Sequence, residues 1–148
     1  MEFEAKTFEE LSRSELYEIL QLRSAVFVVE QECAYQDVDG KDQKALHILG
    51  RIKDQLVAYS RCFGPGVYFH EAALGRVIVH SDFRRQNNGH VLVGKAIEII
   101  EAHYKTSQIR ISAQEHLHDM YSKHGFEQEG EGYLEDNIPH INMIRRGK

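Results

Sequence analysis

Residues 75–100 constrain the fold more than any other stretch of this chain. A short apolar run, Gly75-Arg76-Val77-Ile78-Val79, ends at His80. A turn-rich cationic loop follows, with Arg84, Arg85, Gln86, Asn87, Asn88, Gly89 and His90 in succession. Val91-Leu92-Val93-Gly94-Lys95-Ala96-Ile97-Glu98-Ile99-Ile100 then carries apolar residues at helical spacing. Strand, cationic loop and helix N-terminus, in that order, build an anion site. The first N–H groups of a helix have no partner within it, and the helix dipole makes that end positive. Arg84 and Arg85 add fixed charge and forked donors suited to phosphate oxygens.

The remaining elements can be read by period and punctuation. Glu2 to Phe8 alternates and predicts a first strand. Ser12-Arg13-Ser14-Glu15 fits a capping box, and Leu16, Ile19, Leu20, Arg23, Val26 and Phe27 predict an amphipathic helix to Phe27 or Val28. A long polar connection runs from Val28 to Asp42, of the kind that in compact domains usually carries function. Its Asp37, Asp39, Gly40 and Asp42 lack the frame of a calcium loop, so a turn closed by Asp39-Gly40 is the better reading. Ala45–Ile52 and Gln55–Phe63 predict two strands joined by a hairpin at Lys53-Asp54. After the break at Gly64-Pro65-Gly66, a strand is predicted from Ala72 to Val79 and a helix from Val91 to His103 or Tyr104. Gln108–Ala113 predicts a strand and Glu115–Lys123 a helix ended by Gly125. Phe126–Glu131 and Ile138–Arg145 predict the last strands. The pattern is a mixed α/β domain around one central sheet, and 148 residues suit a single domain, 1–148.

A formal charge of -5 argues against nucleic acid as the main partner. A basic loop in an acidic chain suits a small anionic ligand instead. The N-terminus has neither the basic nor the apolar segment of a secretory signal, and no apolar run approaches the ~20 residues of a membrane span. Cys33 and Cys62 suggest no disulfide framework and read as small hydrophobes. The expectation is a cytoplasmic protein without a membrane partner. His116 and His118 point to different faces of a helix, so no metal is expected.

The loop resembles the acetyl-coenzyme A loop of the Gcn5-related N-acetyltransferases (GNAT), roughly Val-x-Pro-x-x-Arg-Gly-x-Gly-x-Gly/Ala. Aligned on Val79 and Arg84, the last glycine falls on Gly89. Ser81 replaces the proline, Arg85 the first glycine and Asn87 the second. Asn tolerates left-handed backbone better than other non-glycine residues. A second segment, Ala113-Gln114-Glu115-His116-Leu117-His118-Asp119-Met120-Tyr121-Ser122-Lys123-His124-Gly125-Phe126, is similar to the next motif of the same superfamily. Tyr121, Gly125 and Phe126 match it, and Gln114 stands where Asn is usual. Leu22–Gln31, Tyr35–Gly40, His47–Gly50, Gly75–Val79, Ala113–Leu117 and Ile138–Ile141 further resemble the ElaA-type branch, in order along nearly the whole chain. The resemblance implies an α/β GNAT fold: a mixed, mostly antiparallel sheet of about six to seven strands flanked by helices. Its fourth and fifth strands splay apart to admit the pantetheine arm.

The implied activity is transfer of the acetyl group of acetyl-CoA to a primary amine, by direct attack in a ternary complex. The pyrophosphate falls to Arg84–His90, chiefly through backbone N–H groups, and the thioester to the backbone of Val77, Ile78 and Val79. Gln114 and Tyr121 complete the coenzyme contacts. A fixed donor aimed at the developing oxyanion is typically the largest catalytic effect, ~3 kcal/mol. Tyr121 is the family's usual acid for the departing thiolate; otherwise its ring packs on the core. Candidates for the base are Glu30, His47, Glu135, Asp136 and His140, with Glu30 first and His140 next. The acceptor is a small-molecule or peptide amine. The acidic stretches Glu30–Asp42 and Tyr133–Asn137 suit a cationic one. The resemblance also allows a homodimer. Arg85 and Asn87 motivate an alternative, an acyl-CoA-binding module of GNAT fold with little or no transferase activity.

Overall fold

In the computed structural model, which describes residues 1–147, β1 (Glu2–Thr7), β2 (Leu46–Ile52), β3 (Gln55–Phe63) and β4 (Ala72–Val79) form an antiparallel run. The sheet continues through β5 (Ile109–Gln114) to β8 (Ile138–Arg145). The outer edge of β8 is shared by β7 (Tyr133–Glu135) and the short β6 (Glu127–Gln128). The 8-stranded sheet has one strand more than the upper end of the sequence expectation. The addition is β7, half of a hairpin whose two-residue turn, Asp136-Asn137, takes φ of 49° and 65° without glycine.

Only β4 and β5 are parallel, and they pair only at Ala72↔Ile109 and Ala73↔Arg110. Beyond that point the strands part, as the family resemblance implies. On one side of the fork β4 also bulges: Ser60 of β3 stands opposite both Arg76 and Val77. Arg76 sits at φ 47°, and the Ser60 hydroxyl donates to the Gly75 carbonyl at 3.0 Å. The bulge re-aims β4 where the sheet opens.

Helices cover both faces. α1 (Arg13–Arg23) starts at the predicted capping box: the Ser12 hydroxyl accepts from the Glu15 N–H at 3.0 Å, and Glu15 accepts from the Ser12 N–H at 2.8 Å. Its Ile19 and Leu22 pack on Leu49, Tyr59 and Ile78. α2 (Asn88–Tyr104) packs Leu92, Val93, Ala96 and Ile100 on the opposite face, against Ile48, Val57, Ile109 and Ile111.

Two helices differ from the sequence expectation. The first keeps α-helical pitch only to Arg23 and continues as a wider π-helical segment, Ser24–Glu30. The wider turn keeps Val26 in the core and leaves Phe27 at the mouth of the fork. The predicted helix Glu115–Lys123 is a tight turn, Glu115–Leu117, followed by the short α3 (His118–Ser122). The strand predicted over Phe126–Glu131 keeps only Glu127–Gln128, because β8 offers that edge little length before β7 takes it over.

Arg23 lies on the apolar stripe of α1 and is 0% exposed. Its Nε donates to Asp37 at 2.8 Å and its Nη1 to Asp42 at 2.8 Å. Arg61 of β3 joins Asp39 and Asp42 at 2.8 and 2.9 Å. Arg76 of the bulge reaches Asp37 at 2.7 Å. Three arginines and three aspartates thus fasten the acidic loop to α1, β3 and β4. Burial works against charge on Asp42, but the guanidiniums of Arg23 and Arg61 outweigh it and hold its carboxyl below the ordinary value.

Breaking such a network leaves an uncompensated buried charge, at a cost of about 3–5 kcal/mol. Arg23→Met should lower the unfolding free energy by about that amount in urea titration. A loss indistinguishable from that of a surface substitution would show that the network holds nothing together.

Candidate active site

The fork between β4 and β5 is a cleft of about 700 Å³. Strand pairing on this side of β4 stops at Ala73, so the cleft-facing backbone groups of the strand beyond it have no sheet partner. Val77 lines the cleft. Ile78 turns its side chain into the α1 core, and the Val79 carbonyl accepts from Arg84 Nε at 2.9 Å.

Below the fork, a tight turn at Ser81–Phe83 leads into the cationic loop. Arg85 and Asn87, the two residues that replace glycines of the GNAT pattern, have φ of 61° and 67°. Both take the left-handed backbone that glycine adopts readily. Such residues cost roughly 1–2 kcal/mol each, less for Asn. α2 begins at Asn88, earlier than the apolar spacing from Val91 indicates, and its first closing bond runs from Val91 N–H to Asn87 O. Asn88, Gly89 and His90 thus form the first helical turn, whose N–H groups have no acceptor within the helix. Asn88 Nδ2 fixes the entry by donating to the Phe83 carbonyl at 2.8 Å. Arg85, Gln86 and Asn87 are exposed at the rim.

Tyr121, 5% exposed, reaches the cleft from α3 and packs edge-on against Phe126. Its phenol has no hydrogen-bond partner among the described residues. Burial drives its pKa well above the ordinary value, so the phenol stays protonated throughout the neutral range. Gln114 lines the same wall and donates to Gln31 at 3.2 Å.

Next to Gln114 across the β5–β8 pair stands His140 of β8, 8% exposed, which also lines the cleft. Its Nδ1 lies 2.7 Å from the Ile138 carbonyl, which can only accept. The proton of the neutral ring therefore sits on Nδ1, and Nε2 keeps its lone pair. Glu135 lies 3.5 Å from that nitrogen and is largely exposed. The ring stacks on Tyr133, whose hydroxyl is hydrogen-bonded to Ser112. Asp136 also lines the cleft.

Other candidates fall elsewhere. Glu30 is outside the cleft: its carboxylate takes both Arg84 guanidinium nitrogens, at 2.5 and 3.1 Å. The pair ties the cationic loop to the end of the π-helical segment. His47 is fully buried in the core. Its Nε2 donates to the Asp42 carbonyl at 2.9 Å and its Nδ1 accepts from the Tyr59 hydroxyl at 2.6 Å, so both nitrogens are satisfied. Asp37, Asp39 and Asp42 are committed to arginines and offer no free charge to an acceptor. Cys62 is buried, which pushes its thiol up to about 12. Among the described residues, no group of three or more His, Cys, Asp or Glu converges as metal ligands would, and no helix is long and apolar enough to cross a membrane.

Arg76 and Ser112 escaped the sequence reading as site residues, and Tyr133 entered it only as the start of the acidic stretch Tyr133–Asn137. Arg76 left a signal there: a lone arginine within an apolar strand.

A mostly antiparallel sheet that opens between two parallel strands above a strand–loop–helix cradle is the architecture of the Gcn5-related N-acetyltransferases. The chain belongs to this family: residues 9–146 match the acetyltransferase (GNAT) domain. It is 45% identical to the protein ElaA of Escherichia coli over 138 residues, covering 92% of this chain and 90% of that one. The crystal structure of E. coli ElaA superposes with a TM-score of 0.91 at 42% identity, over 97% of this chain and 98% of that one. An acyl-CoA N-acyltransferase from Pseudomonas aeruginosa superposes with a TM-score of 0.92 at 39% identity, over 98% and 99% of the two chains.

Two imidazoles, one buried and one partly buried, set a pH dependence. Burial lowers the pKa of His47 and of His124, the latter also facing His90 at 3.1 Å and Arg145. Both rings resist protonation when folded and accept it at about 6.5 when unfolded. Their share of stability is therefore complete above that pH and declines as the pH falls below it. Histidine-resolved NMR titration should find both below 6.5. An ordinary midpoint for His47 would contradict its hydrogen bonding.

Proposed function

We propose that the protein transfers the acetyl group of acetyl-CoA to a primary amine by direct attack in a ternary complex. One observation carries this reading: two proton-handling groups face one cleft, a buried phenol at Tyr121 and a tautomer-fixed imidazole at His140. Family membership supports acyl-CoA-dependent N-acyltransfer in general, as does the similarity to the Pseudomonas acyl-CoA N-acyltransferase. The unpaired edge of β4 and the retained loop backbone at Arg85 and Asn87 fit the coenzyme.

In this mechanism the N–H groups of Asn88, Gly89 and His90 hold the pyrophosphate. Val77 presents its backbone to the thioester carbonyl, whose oxygen gains charge as the amine attacks. His140 accepts the amine proton on Nε2, and Glu135 stabilises the resulting imidazolium. A carbon–nitrogen bond forms as the carbon–sulfur bond breaks. Tyr121 gives its proton to the departing sulfur. Glu30 serves as the partner of Arg84 rather than as the base.

Acetyl-CoA at ~100 times its dissociation constant should stabilise the protein by about 2.7 kcal/mol, several degrees of melting temperature. Coenzyme A should act similarly and ATP weakly. No shift at millimolar ligand would overturn the coenzyme site. Tyr121→Phe should lower turnover about 100-fold with little change in coenzyme affinity. His140→Gln should likewise lower turnover about 100-fold with little change in coenzyme affinity. Equal turnover of parent and Tyr121→Phe at every pH would remove the phenol from the mechanism.

A further inference from the structure

His90 belongs to the first turn of α2, whose free N–H groups the transferase reading gives to the pyrophosphate. Its ring meets a second imidazole. His90 Nδ1 lies 3.1 Å from His124 Nε2, with the ring centres 5.3 Å apart and the planes tilted by 32°. His124 follows α3, and its N–H donates to the Tyr121 carbonyl at 2.9 Å. The pair thus joins the helix that starts at the cationic loop to the segment that carries the buried phenol. The chemistry described above uses neither ring.

A hydrogen bond between two neutral imidazoles takes one donor and one acceptor nitrogen. Whichever ring donates, its other nitrogen keeps a lone pair, and that nitrogen has no partner among the described residues. One proton can therefore be added there without breaking the contact, and the bond becomes charge-assisted. A second proton would set two N–H groups against each other across 3.1 Å. The capacity of the pair is one.

Without a ligand the surroundings oppose even that proton. Both rings are partly buried, and Arg145 of β8 stands close, its Nε donating to the His124 carbonyl at 3.1 Å. The other charges on that side are paired: Arg145 with Glu101 of α2 at 3.5 Å, and Arg146 with Glu127 of β6 at 3.5 Å. At the loop, Arg84 is held by Glu30. Among the described residues neither ring forms an ion pair with a carboxylate. The negative charges of a pyrophosphate at the first turn of α2 reverse this balance, because a nearby opposite charge favours the charged form of an imidazole.

We propose that the His90–His124 pair takes up one proton when the coenzyme binds, so that it becomes a cation of the phosphate site and coenzyme affinity falls as the pH rises. This inference rests on the transferase reading above and adds its coupling to pH. Below the titration of both free and bound forms the pair is charged throughout, and above both it is neutral throughout. Between them each proton gained tightens the coenzyme, and by reciprocity the coenzyme tightens the proton by the same factor.

The test is titration calorimetry of coenzyme A into the parent, His124→Gln and His90→Gln, at neutral pH in buffers of different ionisation enthalpy. The dependence of the heat on the buffer counts the protons taken up. The parent should take up several tenths of a proton more than either variant, while the coenzyme's own phosphate monoester contributes equally to all three. The parent should bind coenzyme A about tenfold tighter than the variants near pH ~6 and no tighter near pH ~8.5, within the usual range of coupling between sites. In histidine-resolved NMR of the parent, the titration midpoint of the pair should rise by about one pH unit when coenzyme A is bound, the same factor seen from the other side. The NMR arm needs no variant, so it decides the matter even if a glutamine variant melts far below the parent. Equal proton uptake by the parent and a folded variant, or an unmoved midpoint, overturns the proposal and leaves the transferase standing. Coenzyme A that gives no binding heat and no shift in the parent's melting temperature overturns the coenzyme reading itself.

Discussion

The buried arginine–aspartate network holds the acidic loop of this molecule in place. Ordered loops need partners for their polar groups, and the polar stretch after the first helix contributes little to the core. What fixes it is Asp37 against Arg23 and Arg76, Asp39 against Arg61, and Asp42 against Arg23 and Arg61. Each arginine comes from a different element, so the network is also a joint between α1, β3 and the bulge of β4. Removing these charges from water is expensive, and one donor, Arg61 Nε, has no partner among the described residues. Charge balance and bidentate geometry compensate, and the reward is a single arrangement of the loop walls.

That joint bears on the opening of the sheet. Arg76 holds a left-handed backbone within a strand, a conformation that costs of order 1–3 kcal/mol and persists only where its surroundings fix it. Its guanidinium is anchored on Asp37 and lies against the rings of Phe27 and Tyr35. The bulge and the short β4–β5 pairing together leave a strand edge unpaired inside the protein. An unpaired edge is normally covered or blunted. Here it faces a cleft, where a ligand can use it.

Much of this was legible in the sequence. β3 and β4 begin and end where period and punctuation place them, and the capping box at Ser12 forms as read. The loop before α2 was recognisable from its order of residues, and Asn87 takes the left-handed turn that its chemistry allows. Arg85 does the same against its preference. The aspartates of the acidic loop, read as suited to a cationic acceptor, are paired with arginines, and the signal for that pairing was present. Arg23 occupies a position of the apolar stripe, and Arg61 and Arg76 interrupt apolar strands. Three arginines on core-facing positions require three carboxylates somewhere, and the loop supplies them.

What the sequence determined by itself is whatever depends on neighbours along the chain: the order of strands and helices, the phosphate-type loop, and the family to which these belong. Local periodicity and turn chemistry act over a few residues, so they are written locally. What only the tertiary structure decided is which charges remain free. Arg23 meets Asp42 from 19 residues away, Arg84 meets Glu30 from 54 and Gln114 meets Gln31 from 83. Those encounters pair Glu30 with Arg84, enclose His47 between Tyr59 and the Asp42 carbonyl, and leave His140 with an open nitrogen. The protonation behaviour of a side chain follows from its burial and its partners, and both are set by contacts that no local pattern records.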